Sequence, residues 1–123
     1  MKRLREDEVL KKFSLYSGEE EDEGPRWDLC RALCGECGEW IGNKAAGEGE
    51  KGLGLLESLA AAEAFYQLVL LDGALTPESL SSPEVKLEIG KREEKALKLA
   101  REKRLACRGF LQEEEFYFGS VKA

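Results

Sequence analysis

The stretch LLESLAAAEAFYQLVLL, residues 55–71, decides the fold class of this chain. Its apolar residues recur in steps of four and three, as at Leu55, Leu59, Ala62 and Tyr66, which is the spacing of one face of an α-helix. Further leucines and alanines fill the flanks, so the predicted helix is apolar over most of its circumference. Such a helix must be buried on nearly all sides, and we expect it to be the central helix of the fold.

The few polar residues of this stretch limit what the helix can be. A membrane span needs about 20 predominantly apolar residues, whereas Glu63 and Gln67 interrupt the apolar sequence here. These two residues lie one turn apart and predict a narrow polar stripe that reaches solvent or a subunit interface, with a pocket as the alternative. We expect the helix to end at Asp72-Gly73, because Gly73 is suited to a left-handed C-terminal cap.

Outside the central helix, the remaining segments are assigned by their periodicity and by their turn residues. Three segments have helical spacing, two have the alternation of a short strand, and a glycine-rich segment between two of the helices is predicted to be a loop. The segments are an amphipathic helix over 6–16, a cysteine-bearing helix over 25–41, the loop 42–54, a strand over 85–89, a basic helix over 91–108 and an aromatic tail over 115–121. We therefore predict a single, mainly α domain over residues 1–123: a small bundle of about four helices around a central apolar helix, with one or two short β-strands near the C-terminus.

Charge is distributed unevenly along the chain. The formal net charge is −6, which argues against a general nucleic-acid binder because such domains carry a basic surplus. Within 91–108, however, there are eight Lys and Arg residues against three acids, while 19–23 and 113–115 are wholly acidic. Opposed charge blocks of this kind favour the pairing of subunits; the alternative interpretation is that they are solvated helix faces and loops.

Composition excludes several kinds of catalytic site. The chain contains no histidine, so Ser-His and Cys-His nucleophile pairs and His-ligated metal sites are absent. Residues 47–54 are rich in glycine but lack the spacing and the Lys-Ser/Thr ending of a phosphate-binding loop. The sequence contains neither a nucleophile and base pair nor a carboxylate dyad that can be named, and we expect no enzymatic activity and no cofactor.

The cysteines are the candidate metal ligands. Cys30, Cys34 and Cys37 lie on one face of the second helix, and Cys107 lies on the inward face of the basic helix. Their spacing resembles the cluster motif of radical S-adenosylmethionine enzymes, but those enzymes need a barrel that this chain is too short to form. A structural zinc site that includes Cys107 is chemically reasonable. The favoured interpretation is that the thiols are small core residues, kept reduced in a cytoplasm because the charged start of the chain is not a secretory signal.

The order of these features resembles a known family. The segments that carry the resemblance are a short helix with an acidic exit (EDEVLKKFSLYSGEEEDE), a second helix ending in Trp40-Ile41, an Ala-rich helix with an aromatic pair (AAAEAFYQLVL), a Pro/Ser-containing crossover with a short alternating strand, a charged last helix and an acidic-aromatic tail (LQEEEFYFGSV). Together they are similar to the small head-tail connector (adaptor) proteins of long-tailed phages and Firmicutes prophages. The loop 42–54 and the cysteine-rich second helix depart from that family's pattern, as in a divergent prophage copy.

The resemblance implies a structural role without catalysis. A connector assembles into a ring between the portal and the tail, so the implied partners are copies of the chain itself, the portal and the tail-completion proteins. DNA passes through such a ring without specific recognition, and no membrane is involved. The implied location is the virion or the cytoplasm of the bacterial host.

Two other functions remain open from the sequence. One is a small cytoplasmic metal-binding or redox protein that uses Cys30, Cys34, Cys37 and Cys107. The other is a generic helical interaction module that binds a partner through the aromatic residues 116–118.

Overall fold

A computed structural model of the chain describes residues 3–45, 52–76 and 82–111. Its elements are α1 (Glu6–Ser17), α2 (Pro25–Lys44), α3 (Leu53–Leu75), α4 (Pro83–Ala106) and a short 3-10 helix (Arg108–Phe110). The prediction of a mainly helical bundle of about four helices is confirmed. Within the described ranges no strand forms, and the β-type contact there is an isolated antiparallel bridge between Ala45 and Leu111.

Helix α3 is the centre of the bundle, as predicted, because α1, α2 and α4 all pack against it. Its small alanines allow the neighbouring helices to approach closely, and its larger side chains fill the core between them. By length and composition α3 could also cross a membrane, and among the described residues no other helix could. In the bundle, 67% of its most apolar window is buried. The buried residues of α3 are Leu53, Leu56, Glu57, Ser58, Leu59, Ala60, Ala61, Ala62, Glu63, Ala64, Phe65, Leu68 and Val69.

Helix α1 begins at Glu6, as its sequence predicts, and ends at Ser17, one residue beyond the predicted end. Acidic residues occupy its first turn, where the partial positive charge of the helix N-terminus favours them. Val9 and Phe13, one turn apart, are buried against the core. The helix ends at Gly18, which has a φ of 79° and donates its N–H to the carbonyl of Ser14 at 2.9 Å. This left-handed cap turns the chain into the acidic connection before α2.

The strand predicted over residues 85–89 is wrong, because these residues form the beginning of α4. Ser82 caps the helix by accepting a hydrogen bond from the N–H of Val85 at 3.2 Å, and Pro83 occupies the first helical position. A capping serine followed by proline is a strong helix start. The alternation of Val85, Leu87 and Ile89 also places Val85 and Ile89 one helical turn apart, so the pattern did not distinguish a strand from a helix.

Helix boundaries also differ from the predicted ones. The central helix continues past Gly73 to Leu75, so Gly73 is not its cap. Instead, Gly73 allows α4 to pack closely against α3, because a Cβ at this position would lie 2.9 Å from Glu93 Oε1 and 3.3 Å from Ile89 Cγ2. Helix α2 extends to Lys44, so the predicted loop 42–54 begins later than expected. Helix α4 ends at Ala106, before the predicted end of the basic helix. Residues 46–51 of the predicted loop and the strand predicted in the aromatic tail, 115–121, lie outside the described residues.

Candidate functional site

An acidic cleft lies between the first turn of α1 and the start of α2. Glu6 and Asp7 contribute one wall, and the connection 21–23, which contains three consecutive acids, contributes another. The cleft has a volume of about 1040 Å³ and is open to solvent. Leu10 and Trp27 form its apolar surface, and Trp27 is only 5% exposed. Arg31 brings a positive charge to the lining, which is otherwise acidic or apolar.

The acidic cleft suits a cationic ligand that also has an aliphatic portion. Its carboxylates attract positive charge, and the partly exposed side chain of Leu10 can pack against the methylene groups of lysine or arginine. The partial positive charge at the N-terminus of α1 offsets part of this attraction, because it repels a cation placed beside the first turn. Electrostatic attraction at this site will therefore be strongest for partners with several positive charges, and it will weaken as salt is added.

A basic stripe lies on the outer face of α4. It consists of Lys91, Lys95, Lys98 and Arg101, which follow helical spacing and are all exposed. Glu94 and Glu102 share this face, so the stripe is predominantly but not wholly positive. The main packing of α4 is against α3. No described residue of α4 lines the acidic cleft, so the basic stripe and the acidic cleft are formed by different residues.

The other cations of α4 contact groups within the fold. Arg92 donates a hydrogen bond to Asp72 of α3 at 3.0 Å, and Lys103 lies 5.6 Å from the centre of the Tyr16 ring of α1. Arg104 forms an ion pair with Glu63. These contacts distinguish the cations that hold α4 in place from those of the basic stripe, a distinction that the sequence alone did not make.

Asp72 joins three helices at one end of the bundle. Its carboxylate accepts hydrogen bonds from Arg26 at 2.6 and 2.9 Å as well as the bond from Arg92. The bonds from Arg26, and then those from Arg92, lower the pKa of Asp72 although its partial burial acts in the opposite direction. Arg26 also binds Glu19 of the acidic connection at 3.1 Å, which fixes that connection beside α2. The network therefore positions one side of the acidic cleft.

Glu57 of α3 is fully buried, and its negative charge is balanced by Arg5, which lies in the segment that precedes α1. Burial alone would raise its pKa, but hydrogen bonds from the side chain and the backbone N–H of Arg5 lower it below the ordinary value. The three donor atoms of Arg5 lie 2.7 to 3.0 Å from the carboxylate oxygens. At the next residue of α3, Ser58, the hydroxyl accepts a hydrogen bond from Lys12 at 3.0 Å. These contacts fasten the beginning of α1 to the central helix.

Glu63 is also buried, and the prediction of a polar stripe that reaches solvent is therefore wrong for this residue. Its carboxylate accepts bonds from Nε and from a terminal nitrogen of Arg104 at 2.8 and 3.1 Å. Removal from water raises the pKa of Glu63, and the charge of Arg104 offsets only part of that rise. Gln67, one turn further along α3, is exposed. The two polar residues thus have different environments and do not form a shared site.

The four cysteines, the predicted metal candidates, are mostly core residues. Cys30, Cys34 and Cys107 are buried and Cys37 is partly buried, all with free thiols. Cys107 donates its S–H to the carbonyl of Leu55 at 3.1 Å, which holds the chain after α4 against α3. Among the residues that the structure describes, no group of three or more His, Cys, Asp or Glu side chains could hold a metal ion.

Burial also makes these thiols weak acids. Removal from water raises the pKa of Cys34 and of Cys37 to about 12 and that of Cys107 to about 11. The pKa of Cys30 is raised for the same reason. Because the thiolate is the form that attacks electrophiles and binds metals, these groups are poor nucleophiles at neutral pH.

The ion pairs of the bundle were missed by sequence reasoning. Each joins residues that are far apart in the chain, as Arg5 and Glu57 or Glu63 and Arg104 are, and periodicity does not report such pairs. The available signal was the presence of glutamates within a helix that is apolar on most of its circumference, since a buried carboxylate requires a cation. That requirement predicts the existence of the partners without identifying them.

Comparisons with protein-family models, with curated proteins and with solved structures found no match for this chain. The resemblance to head-tail connectors therefore rests on the sequence features given above.

Proposed function

We propose that this chain is a structural protein without catalytic activity that assembles with copies of itself, as a head-tail connector of long-tailed phages and prophages does. The observation that carries the proposal is the presence of two separate surfaces of opposite charge, the acidic cleft and the basic stripe, on one small bundle. In the proposed contact, the basic stripe of one subunit enters the acidic cleft of the next.

Separate complementary surfaces favour a head-to-tail arrangement. A two-fold dimer places the same patch against itself, and here that would bring like charges together. A contact between two different patches leaves one patch of each kind unused after every addition, so subunits continue to add. The series closes into a ring when the rotation between neighbouring subunits allows it. The exposed lysines supply long aliphatic chains as well as charge, and the partly exposed Leu10 provides an apolar surface on which those chains can lie.

The charge of the chain agrees with a ring that surrounds DNA without binding it tightly. Affinity for DNA depends on cations that neutralise phosphates, and this chain has a net charge of −6. If the basic stripe is covered by the neighbouring subunit, even fewer cations face the lumen. The proposed partners are thus other copies of the chain, the portal and the tail-completion proteins, in the virion or in the cytoplasm of the bacterial host.

The proposal is tested by native mass spectrometry of the purified protein over a range of concentrations at low salt. We expect a monomer that converts to a closed oligomer as concentration rises, and that dissociates as salt is added. Lys95→Glu with Lys98→Glu should remain folded by circular dichroism but fail to assemble. A cleft variant, Glu21→Lys with Asp22→Lys, should fail in the same way.

The matched control combines the two sets of substitutions. A chain that carries all four has both surfaces reversed, so attraction between neighbours is restored and assembly should return. Loss of assembly in each single-surface variant without recovery in the combined variant would show that the charges do not meet across the interface. Assembly of the Lys95→Glu, Lys98→Glu variant at low salt as efficiently as the wild type would also refute the proposed contact, and a monomer at every concentration would refute self-assembly.

A further inference from the structure

A short segment after α4 crosses the end of the bundle at which α2 ends and α3 begins. It comprises residues 107–111 and contains the 3-10 helix Arg108–Phe110. Cys107 is fully buried and donates its S–H to the carbonyl of Leu55 at 3.1 Å. Within the segment, the N–H of Phe110 donates to the carbonyl of Cys107 at 2.8 Å. We refer to residues 107–111 as the strap, because contacts at both of its ends hold it on the bundle.

The ring of Phe110 packs directly on the backbone at Gly52, the residue before α3. A Cβ at Gly52 would lie 2.6 to 2.8 Å from three ring carbons of Phe110, which is closer than van der Waals contact allows. Gly52 also has a φ of 79°, a conformation that disfavours a side chain. At the start of α3, the carbonyl of Gly52 accepts a hydrogen bond from the N–H of Leu56 at 3.0 Å. Phe110 therefore packs on the residue from which the central helix begins.

The other end of the strap is joined to the end of α2. Leu111 forms an isolated antiparallel bridge with Ala45, the residue after α2, and both residues are buried. The strap thus contacts Ala45 and Gly52, which border residues 46–51 on either side. Phe110 and Leu111 are adjacent in sequence, so one short segment holds the end of α2 and the start of α3 beside each other.

The attachment of the strap is weaker than that of a helix. The strap is a single short turn, whereas each helix packs along several turns. Its link to α3 includes an S–H group, which is a weak donor, and its link to α2 is an isolated bridge and not a ladder of strand hydrogen bonds. Segments with few contacts open locally at a lower free energy than the fold as a whole. The hydrogen bond between Phe110 and Cys107 makes the points of attachment parts of one turn, so we expect their release to be concerted.

We propose that the strap opens and closes as one unit while the four helices stay packed, and that in its closed state it holds the α2–α3 connection in place. Opening uncovers the thiol of Cys107 and removes the ring of Phe110 from Gly52, so the first turn of α3 loses a neighbour that supports it. This device is independent of the proposed ring, since all of its contacts lie within one subunit. The accessibility of a buried cysteine becomes a measure of the state of the strap.

The test is native-state hydrogen exchange of the full chain by NMR in low concentrations of urea, below the unfolding transition. After correction for intrinsic rates, we expect the amide of Phe110 to exchange at least about tenfold faster than that of Phe65, at the centre of α3, and with little dependence on urea, because a local opening exposes little surface. Alkylation of Cys107 by iodoacetamide should report the same opening equilibrium as the Phe110 amide. Exchange of Phe110 and Phe65 with one rate and one urea dependence would overturn the proposal, and so would a Cys107 thiol that reacts only as the bundle unfolds.

Two matched pairs of variants identify the contacts that close the strap. Gly52→Ala places a Cβ against the ring and should favour opening by at least about tenfold, whereas Gly54→Ala, where a Cβ meets nothing within 4 Å, should not. Phe110→Ala should act as Gly52→Ala does, while Leu105→Ala, which truncates an exposed side chain near the end of α4, should leave the strap closed. Helical circular dichroism and the exchange of Phe65 should be unchanged throughout. Equal effects of Gly52→Ala and Gly54→Ala, or unchanged opening in Phe110→Ala, would show that the ring does not hold the strap and would overturn the proposal.

Discussion

Replacement of Arg104 by methionine removes the cation that neutralises Glu63 inside the bundle. The side chain of Glu63 is 6% exposed, and its carboxylate accepts two hydrogen bonds from Arg104. Without the guanidinium, the carboxylate must either stay charged in an apolar environment or take up a proton. Protonation from an unfolded-state pKa of about 4.3 costs about 1.36 kcal/mol per pH unit, which gives about 3.7 kcal/mol at pH 7. This value lies within the range of about 3–5 kcal/mol found when a buried pair loses one partner.

The cost should depend on pH in a defined direction. Loss of Arg104 raises the pKa of Glu63 in the folded variant further above the pKa in the unfolded chain. The stability of the variant is therefore highest at low pH and falls as the pH rises from the unfolded-state pKa to the folded-state pKa. At pH 5 the cost of protonation is only about 1 kcal/mol, so the destabilisation should shrink by about 2–3 kcal/mol relative to pH 7. Urea unfolding of wild type and variant at the two pH values measures this difference.

Two control variants separate the charge from other effects of the substitution. Glu63→Leu with Arg104→Met removes both charges and should lie within about 1 kcal/mol of the wild type, because an apolar pair often replaces a buried ion pair without loss. Arg101→Met, on the exposed face of the same helix, should change stability by no more than about 0.5 kcal/mol. An equal destabilisation by Arg104→Met at pH 5 and pH 7 would refute the reasoning, since it would assign the loss to packing and not to an unpaired carboxylate.

Three further predictions concern single residues of the fold. Gly18→Ala should destabilise the chain by about 1 kcal/mol in urea unfolding, because Gly18 has a φ of 79° and the penalty is conformational. Burial raises the pKa of Cys34 to about 12, which lowers its thiolate fraction at pH 8 about a thousandfold relative to the unfolded chain. Cys34 should therefore react with iodoacetamide about a thousandfold more slowly in the folded chain than in urea, and alkylation at similar rates would contradict its burial. Asp72→Asn should cost about 1 kcal/mol at low salt and less at high salt. Because the folded-state pKa of Asp72 is lowered, this cost should be full above the ordinary pKa of 3.8 and be lost as pH falls below it, and a cost that persists in strong acid would contradict the ion-pair assignment.

The helices were predictable because each has a local signal. The apolar circumference of α3 identified the central helix, and the acidic first turn and Gly18 fixed both ends of α1. The start of α4 was not predicted, because Val85, Leu87 and Ile89 alternate as in a strand, although Ser82-Pro83-Glu84 is a capping sequence. Alternation over five residues fits a strand and one helical turn equally well, whereas a capping hydrogen bond is specific to a helix.

The candidate site was predictable only in part, because charge blocks are visible in a sequence and their arrangement is not. The acids of 19–23 and the cations of 91–108 were evident from composition. The sequence did not indicate that Glu6 and Asp7 join the first group around Trp27. It also did not show that Arg92, Lys103 and Arg104 contact groups within the fold, which leaves the basic stripe narrower than the basic helix. These assignments require the positions of residues distant in the chain.

The apolar character of α3 and its two buried glutamates have a common explanation in the bundle. A carboxylate near the centre of a bilayer is costly, on the order of 3 kcal/mol for each residue on insertion scales. In the bundle, Glu57 and Glu63 receive cations from Arg5, which precedes α1, and from Arg104, near the end of α4. Those cations come from opposite ends of the sequence, so both pairs form only when the outer helices have packed against α3. The two ion pairs therefore favour burial of α3 among α1, α2 and α4 over its insertion in lipid, although its length and composition would permit either.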